Sequence, residues 1–166
     1  MEKKDSETKV KKEFYCESPK VPNYNSGVFT IYLAGGIKDC TNWQKEAIEL
    51  LLKNKFIRKN NIVILNPRRE TFDENKEFIL EQQYLWEREH INRSSIVLFW
   101  FPKETHCPIA LFDLGHCMRK NKKIFIGCDK EYKKRKDLIL RSLPNKVCSS
   151  LETLIENALE YIYRKI

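Results

Sequence analysis

Residues 95–115 read SIVLFWFPKETHCPIALFDLG and predict a strand, a loop and a helix in that order. The apolar and aromatic run that ends at Pro102 is typical of a strand buried on both faces of a parallel sheet. After a polar loop, Pro108 opens an apolar helix that carries one acid, Asp113. Ligands of open α/β sheets bind outside the carboxyl ends of the strands, so a carboxylate near the start of this helix would face a ligand there.

The rest of the chain repeats this alternation of strands and helices. Strand patterns occur at residues 28–34, 61–66, 122–127 and briefly at 146–148, and helical patterns at 41–55, 73–93 and from 151 onward. Short connections between them predict one α/β domain over residues 27–166, with a parallel sheet in strand order 2-1-3-4-5 and helices on both faces. Residues 1–26 are charged and then contain two prolines, which predicts a flexible tail or a strap across the domain.

Composition indicates a soluble globular protein, with 33% charged and 42% hydrophobic residues among 166. No apolar run is long enough to span a membrane, and the charged start lacks the apolar core of a secretory signal. We therefore expect a cytoplasmic protein. Its six cysteines are scattered without a CxxC motif, which favours reduced thiols. The pairs His106-Cys107 and His116-Cys117 fall in a loop and a helix, so we predict no metal site, and no cofactor is predicted.

The net charge of +8 is concentrated in residues 119–141. Such a run is usually a solvated, lysine-rich surface, and attraction of phosphate or nucleic acid is the alternative. No aromatic and basic RNA-binding signature accompanies it, so nucleic-acid binding is the weakest of the functions considered.

Asp113 is the acid that is hardest to explain as a surface residue. It lies in the apolar run PIALFDLG, and a carboxylate is costly to bury unless it is paired or used. The residues alone leave two interpretations open: Asp113 takes part in chemistry, or it only accepts a hydrogen bond from Tyr32 or a backbone amide. Glu87 lies in the long helical pattern, where its spacing predicts a surface position.

Two further features would share an edge with Asp113 if the strands are parallel. Gly35 and Gly36 follow the first predicted strand, where they would let the backbone approach a ligand or simply form a tight turn. Arg68 and Arg69 follow the second strand, where they would hold an anionic ligand or lie in a surface turn. Two carboxylates and a tyrosine around such a pocket suit glycosyl transfer, and they equally suit a binding pocket without chemistry.

Five motifs in this order resemble the nucleoside 2-deoxyribosyltransferase family. They are IYLAGGI, ILNPRR, WEREHINRSS, LFWFPKET and CPIALFDLG, and together they cover residues 28–129. The branch that pairs WE with FWFP-ET-PI-ELG is the most similar. The resemblance implies a flavodoxin-like (Rossmann-like) sheet and cleavage of the N-glycosidic bond of 2'-deoxynucleosides or their 5'-monophosphates. A covalent deoxyribosyl-enzyme intermediate would then pass the sugar to another nucleobase or to water.

The resemblance also implies roles for individual residues. It places the nucleophile at Asp113, the tyrosine that orients it at Tyr32, and the acid that works at the base at Glu87, which moves Glu87 from the surface to the site. The remaining predicted site residues, which would contact substrate, are Gly35, Gly36, Ile37, Asn66, Arg68, Arg69, Pro102, Glu104 and Pro108.

Asp113 departs from the family pattern, which has glutamate there. The shorter side chain would hold its carboxylate about 1.5 Å farther back, and a misplacement of that size can cost on the order of 100-fold in rate. A second family acid falls near Cys107, and Glu104 is the nearest candidate to replace it.

The resemblance implies a small-molecule nucleoside or nucleotide substrate and a homodimer or higher homo-oligomer. The alternative function is a non-catalytic nucleotide-sensing module on the same fold, which would bind nucleotide through Gly35, Gly36, Arg68 and Arg69.

Overall fold

A sheet of six parallel strands forms the centre of the computed structural model, which describes residues 14–24 and 27–166. The strands are β1 (Tyr15–Glu17), β2 (Phe29–Gly35), β3 (Ile62–Asn66), β4 (Ile96–Phe101), β5 (Ile124–Cys128) and β6 (Val147–Cys148). The helices within the same residues are α1 (Trp43–Lys53), α2 (Lys55–Lys59), α3 (Glu77–Arg93), α4 (Pro108–Arg119), α5 (Arg135–Arg141) and α6 (Leu151–Lys165).

The strand order is β1-β3-β2-β4-β5-β6, and each neighbouring pair is parallel. The predicted order 2-1-3-4-5 counts β2 as its first strand, so it corresponds to β3-β2-β4-β5-β6 and is confirmed, as is the α/β class. The order differs from the prediction only by the added edge strand, β1.

Strand β1 comes from the segment that was predicted to be a flexible tail or a strap across the domain. Tyr15, Cys16 and Glu17 pair with Ile64, Leu65 and Asn66 of β3, and Cys16 is buried in the core. The pattern was missed because a three-residue strand with one buried side chain has no detectable periodicity. Residues 14–24 therefore belong to the folded domain, whose predicted start at residue 27 is too late. Residues 1–13 and 25–26 of the predicted tail lie outside the described part of the chain.

Helices cover both faces of the sheet, as predicted. Val97, Phe99 and Phe101 of β4 face one hydrophobic core, which receives apolar residues of α3, α4 and α5. Ile96, Leu98 and Trp100 face the other core, which receives apolar residues of α1, α2 and α6. This explains why β4 is apolar at six consecutive positions, and it places α3 and α4 side by side over one face.

Helix α3 differs from its prediction in its start, and its buried side is partly polar. It begins at Glu77 rather than near Asp73, whose carboxylate instead accepts the backbone N–H of Asn75 at 3.2 Å. Its buried residues are Gln83, Trp86, His90 and Ile91, whereas Phe78 is 73% exposed. The helix thus turns a partly polar side to the core, and Glu87 lies beside that buried side.

Candidate active site

The acids Glu87 and Asp113 meet Tyr32 where α3 and α4 pack over the sheet. Tyr32 lies in β2 and is 2% exposed, with its ring 6.1 Å from the ring of Trp86, the neighbour of Glu87 in α3. Burial raises the pKa of Tyr32 well above its ordinary value, and the nearby charges of Glu87 and Asp113 raise it further. The structure therefore brings the three residues with predicted catalytic roles to one place.

Glu87 is partly buried and carries a strongly perturbed carboxyl group. Burial raises its pKa to about 7, the charge of Asp113 adds to this rise, and a hydrogen bond from Gln83 and the charge of Arg69 oppose it. The surface position predicted from its spacing is therefore wrong, because the buried side of α3 passes through Gln83 and Trp86 and not through Phe78. A carboxyl group with this pKa can give and take a proton near neutral pH.

Asp113 is half-buried in α4, and burial alone raises the pKa of its carboxyl group to about 6. None of the described side chains contributes a hydrogen bond to this carboxylate. The structural interpretation, in which Asp113 only accepts a bond from Tyr32 or a backbone amide, has no such bond among the described residues to support it. Both acids therefore titrate far closer to neutral pH than ordinary carboxyl groups do, and burial is the main cause for each.

Arg68 is directed at the protein's own backbone. Its Nη2 donates to the carbonyl oxygen of Ile37, and also to those of Cys40 at 3.5 Å and Thr41 at 3.3 Å. Asn66 supports this arrangement by accepting the backbone N–H of Arg68 at 3.0 Å. Arg68 therefore holds the loop that follows β2. Neither a simple surface turn nor an anion site would require these hydrogen bonds to the loop.

Arg69 connects to Glu87 through Gln83. Its Nε donates to Gln83 Oε1 at 2.5 Å and to Ser18 Oγ at 3.2 Å, and its charge lowers the pKa of Glu87. Gln83 was not among the predicted site residues. The spacing of four residues between Gln83 and Glu87, on one side of a helix, is the sequence signal that could have found it.

A cleft of about 710 Å³ lies between α1 and the β1–β3 edge of the sheet. Asn66, Arg68 and Arg69 line this cleft, together with Tyr15 and Glu17 of β1, whereas Tyr32, Glu87 and Asp113 do not. Some predicted substrate-binding residues therefore lie in this cleft and not beside the two acids. Arg69 reaches both places, because it lines the cleft and also donates to Gln83, which contacts Glu87.

Gly35 and Gly36 allow two loops to pack closely. The carbonyl oxygen of Gly36 accepts the indole N–H of Trp43 at 2.8 Å and the amide of Gln44 at 3.0 Å. A Cβ on Gly36 would lie 2.7 Å from Pro102 Cγ, which places Pro102 against this loop. Close packing of protein on protein therefore accounts for these glycines without a ligand.

Replacing Gly35 with alanine is expected to destabilise the fold by about 1 to 3 kcal/mol. A Cβ there would lie 2.1 Å from the carbonyl oxygen of Trp100 in β4, a backbone atom that cannot move away. Gly115→Ala is the matched control, because a Cβ on this exposed residue of α4 meets nothing within 4 Å and alanine favours helix. Thermal or urea unfolding measures both, and equal stability of the two variants would contradict the prediction.

The remaining predicted residues lie around the loop between β4 and α4. Pro108 is the exposed first residue of α4, and Ile37 is half-buried. Glu104 is exposed, and its charge raises the pKa of Cys40 and Cys107, which places it beside both thiols. Within the described part of the chain no hydrogen bond or ion pair joins Glu104 to Glu87 or Asp113, so its role at the base stays a prediction.

The sequence matches the family described as "Nucleoside 2-deoxyribosyltransferase like" over residues 28–132, more than half of the chain. The chain belongs to this family. The matched range includes β2, β3 and β4 with α3 and α4, and therefore Tyr32, Glu87 and Asp113. The earlier resemblance to nucleoside 2-deoxyribosyltransferases is confirmed at the level of the family.

A solved structure described as a conserved protein from Enterococcus faecalis V583 has a similar fold. It aligns with a TM-score of 0.57 at 14% identity, covering 81% of this chain and 99% of the other. At that identity the likeness supports the α/β fold alone and says nothing about activity. A search of the curated proteins found no match.

Other features of this family member bear on the remaining predictions. Strand β5 divides the basic run, because residues 119–123 precede this strand and residues 130–141 follow it. The two halves of the run therefore begin at opposite ends of β5. No helix in the described ranges is both long and apolar enough to cross a membrane. Within residues 14–24 and 27–166, no three His, Cys, Asp or Glu side chains are grouped as metal ligands would be.

Proposed function

We propose that this protein cleaves the N-glycosidic bond of 2'-deoxynucleosides or their 5'-monophosphates and transfers the deoxyribosyl group to another nucleobase or to water. Membership of the nucleoside 2-deoxyribosyltransferase-like family supports a role in nucleoside glycosyl transfer. The observation that carries the proposal is the pair of acids beside Tyr32, with the pKa of Asp113 at about 6 and that of Glu87 at about 7.

In the first half of the proposed reaction, the Asp113 carboxylate attacks the anomeric carbon of the sugar. A C–O ester bond forms while the C–N bond to the base breaks, and Glu87 gives its proton to the departing base. The products are free base, an ionised Glu87 and a deoxyribosyl ester on Asp113.

In the second half, a new base or a water molecule approaches the same carbon. The ionised Glu87 takes a proton from the acceptor while the acceptor bonds to the sugar, and the Asp113 carboxylate leaves with the electrons of the ester bond. Both acids return to their starting states, so the cycle needs no metal and no added cofactor.

The raised pKa values suit these roles. Asp113 must be charged to attack and Glu87 must be protonated to assist the leaving base, and with values of about 6 and about 7 both forms are accessible near neutral pH. The buried phenol of Tyr32 keeps its proton throughout this range, because its pKa lies well above the ordinary value. We propose that Tyr32 orients Asp113, because the charge of Asp113 acts on this buried phenol and the family resemblance implies the same role.

The proposed substrate contacts are divided between the cleft beside α1, which Asn66, Arg68 and Arg69 line, and the loops that follow β2 and β4. Arg69 is the predicted anion-binding residue that lies nearest Glu87, whereas Arg68 shapes the loop that begins at Ile37. We keep the following residues as proposed substrate contacts: Gly35, Gly36, Ile37, Asn66, Arg68, Arg69, Pro102, Glu104 and Pro108.

Incubation with each 2'-deoxynucleoside and its 5'-monophosphate tests the proposal, with and without a second base, and with free base followed by chromatography. Base release without an acceptor indicates hydrolysis, and a new deoxynucleoside in its presence indicates transfer. Failure to release base from every substrate would contradict the enzymatic proposal.

The second candidate function is nucleotide sensing without chemistry, which the aspartate at position 113 favours. This alternative predicts that nucleotides raise the melting temperature of the protein while no base is released. Thermal unfolding with the same substrate panel separates the two functions.

We also propose that the protein forms a homodimer or higher homo-oligomer through the outer sides of α3 and α4. The two helices touch near their ends, where His116 Nε2 lies 3.1 Å from Asn92 Oδ1. Both helices also expose large apolar residues, with Phe78 73%, Ile109 66% and Phe112 76% exposed, and Phe112 is the neighbour of Asp113 in α4. A second copy would cover this apolar surface next to the site.

Phe112→Ser is expected to weaken this self-association by at least about tenfold, because exposed aromatic residues dominate such contacts. Sedimentation velocity over a concentration series measures the effect. Leu140→Ser is the matched control, since this residue of α5 is 68% exposed and lies away from α3. A monomeric wild-type protein at all concentrations would contradict the proposal.

A further inference from the structure

Gln83 makes a complete set of hydrogen bonds beside Glu87. Its Oε1 accepts from Ser18 Oγ at 2.8 Å and from Arg69 Nε at 2.5 Å. Its Nε2 donates to the carbonyl oxygen of Pro67 at 2.7 Å and to Glu87 Oε1 at 2.7 Å. Two acceptor positions and two donor positions are all that a glutamine amide has, and at 7% exposure this one uses them all within the protein.

The partners allow only one orientation of this amide. After a flip, the amide nitrogen would face the Arg69 Nε–H, so a donor would face a donor. The amide oxygen would face the Pro67 carbonyl oxygen, so an acceptor would face an acceptor. The cost of two unmade buried hydrogen bonds prevents this. Gln83 therefore always presents an N–H to Glu87.

The segment after β1 strengthens this arrangement from outside the helix. Ser18 contacts Gln83, and two residues later the carbonyl oxygen of Lys20 accepts the indole N–H of Trp86 at 2.7 Å. Both contacts are made to the turn of α3 that ends at Glu87. The residues that hold Gln83 thus come from three separate parts of the chain: residues 18–20, the loop after β3, and α3 itself.

We propose that Gln83, held by Ser18 and Arg69, is a positioning residue that fixes which oxygen of Glu87 carries the proton. Because Oε1 accepts the Gln83 N–H, the proton of the acid sits on Oε2, the oxygen that remains available to the leaving base. The same N–H favours the ionised carboxylate after the proton has been given away, which prepares Glu87 to accept the next one. The proposal rests on the proposed function only in treating Glu87 as the acid.

Titration of the Glu87 carboxyl group tests this proposal without any assay of activity. Carbon-13 NMR of protein labelled at glutamate carboxyl carbons follows the titration, with the Glu87 signal assigned by its loss in Glu87→Gln. In Gln83→Leu the pKa of Glu87 is expected to rise by about one unit or more, because the carboxylate loses a donor to its charged form. If Gln83 is a structural residue only, the titration does not move.

Gln82→Leu is the matched control, since it alters a neighbouring residue of the same helix that is not on the buried side. Ser18→Ala removes one of the two donors that hold Gln83 and should move the Glu87 titration in the same direction by a smaller amount. This second variant decides the question if Gln83→Leu does not fold. An unchanged titration in a folded Gln83→Leu, an equal shift in Gln82→Leu, or, where Gln83→Leu does not fold, an unchanged Ser18→Ala would overturn the proposal.

The pH profile of kcat then separates this inference from the proposed function. In an active enzyme, kcat falls on the alkaline side as Glu87 loses its proton. In Gln83→Leu this fall should occur at higher pH, by the shift in pKa that NMR measures. A shifted titration in a protein that releases no base would keep the positioning role of Gln83 and reject the proposed chemistry.

Discussion

Asp113→Ala is expected to abolish base release, with a loss of at least about 10³-fold in kcat. The reason is that Asp113 supplies the bond that replaces the broken glycosidic bond, and no other described acid in α4 can take its place. Chromatographic measurement of free base over long incubations gives the residual rate. The expected loss is in kcat and not in substrate affinity, because the attack occurs after binding.

Two further substitutions decide whether the loss is chemical. Asp113→Asn keeps the shape of the side chain and should be as inactive as alanine, whereas Asp113→Glu should retain or raise activity by restoring the length of the family's glutamate. Asp137→Asn in α5 is the control for loss of an acid elsewhere. Full activity of Asp113→Asn would remove the nucleophile from this position.

The same acid should cost the protein stability when it is charged. The folded pKa values of Asp113 and Glu87, at about 6 and about 7, lie above ordinary carboxyl values of about 4. Between those limits the folded state binds more protons than the unfolded state, so the free energy of unfolding falls as pH rises. Asp113→Asn is thus expected to be inactive and, at pH 8, more stable than the wild type by an amount on the order of 1 kcal/mol, discounted for partial exposure.

The sheet was predictable because its strands carry strong local patterns. The six consecutive apolar residues of β4 identify a strand buried on both faces, and short connections then leave few possible topologies. Strand β1 has no such pattern: it is held by pairing with β3, and pairing partners cannot be read from three residues.

The site was less predictable because side-chain direction depends on packing. Spacing alone placed Glu87 at the surface, and the same helix carries the apolar residues Phe78 and Leu85. In the structure both of these residues are exposed, and the buried side carries Gln83 and His90 instead. A polar side turned toward a core is costly, and such local contradictions are expected at functional sites.

Arg68 shows a second limit of sequence reasoning. An arginine at the carboxyl edge of a sheet suits an anion, yet its guanidinium here donates to backbone carbonyls of the loop after β2. Residue type gives the donors, and only the positions of nearby carbonyls decide where they are used. Arg69, one residue later, reaches Gln83 and Ser18 and remains the better candidate for an influence on chemistry.

Glu87→Gln is expected to lower kcat by about 10² to 10⁴-fold, the contribution of a positioned general acid and base. The amide keeps the size of the side chain but cannot give a proton to the departing base. The loss should be greatest for substrates whose base is a poor leaving group, because these depend most on protonation. Steady-state rates over a series of deoxynucleosides measure both effects.

The pH profile gives the sharper test of this acid. In the wild type, kcat should fall below about pH 6 as Asp113 becomes protonated and above about pH 7 as Glu87 loses its proton. Glu87→Gln should keep the acidic limb and lose the alkaline one, whereas Glu89→Gln, which removes an exposed acid paired with Arg93 at 3.0 Å, should keep both. An alkaline limb that survives in Glu87→Gln would assign the proton to a different group and leave Glu87 with a structural role beside Tyr32.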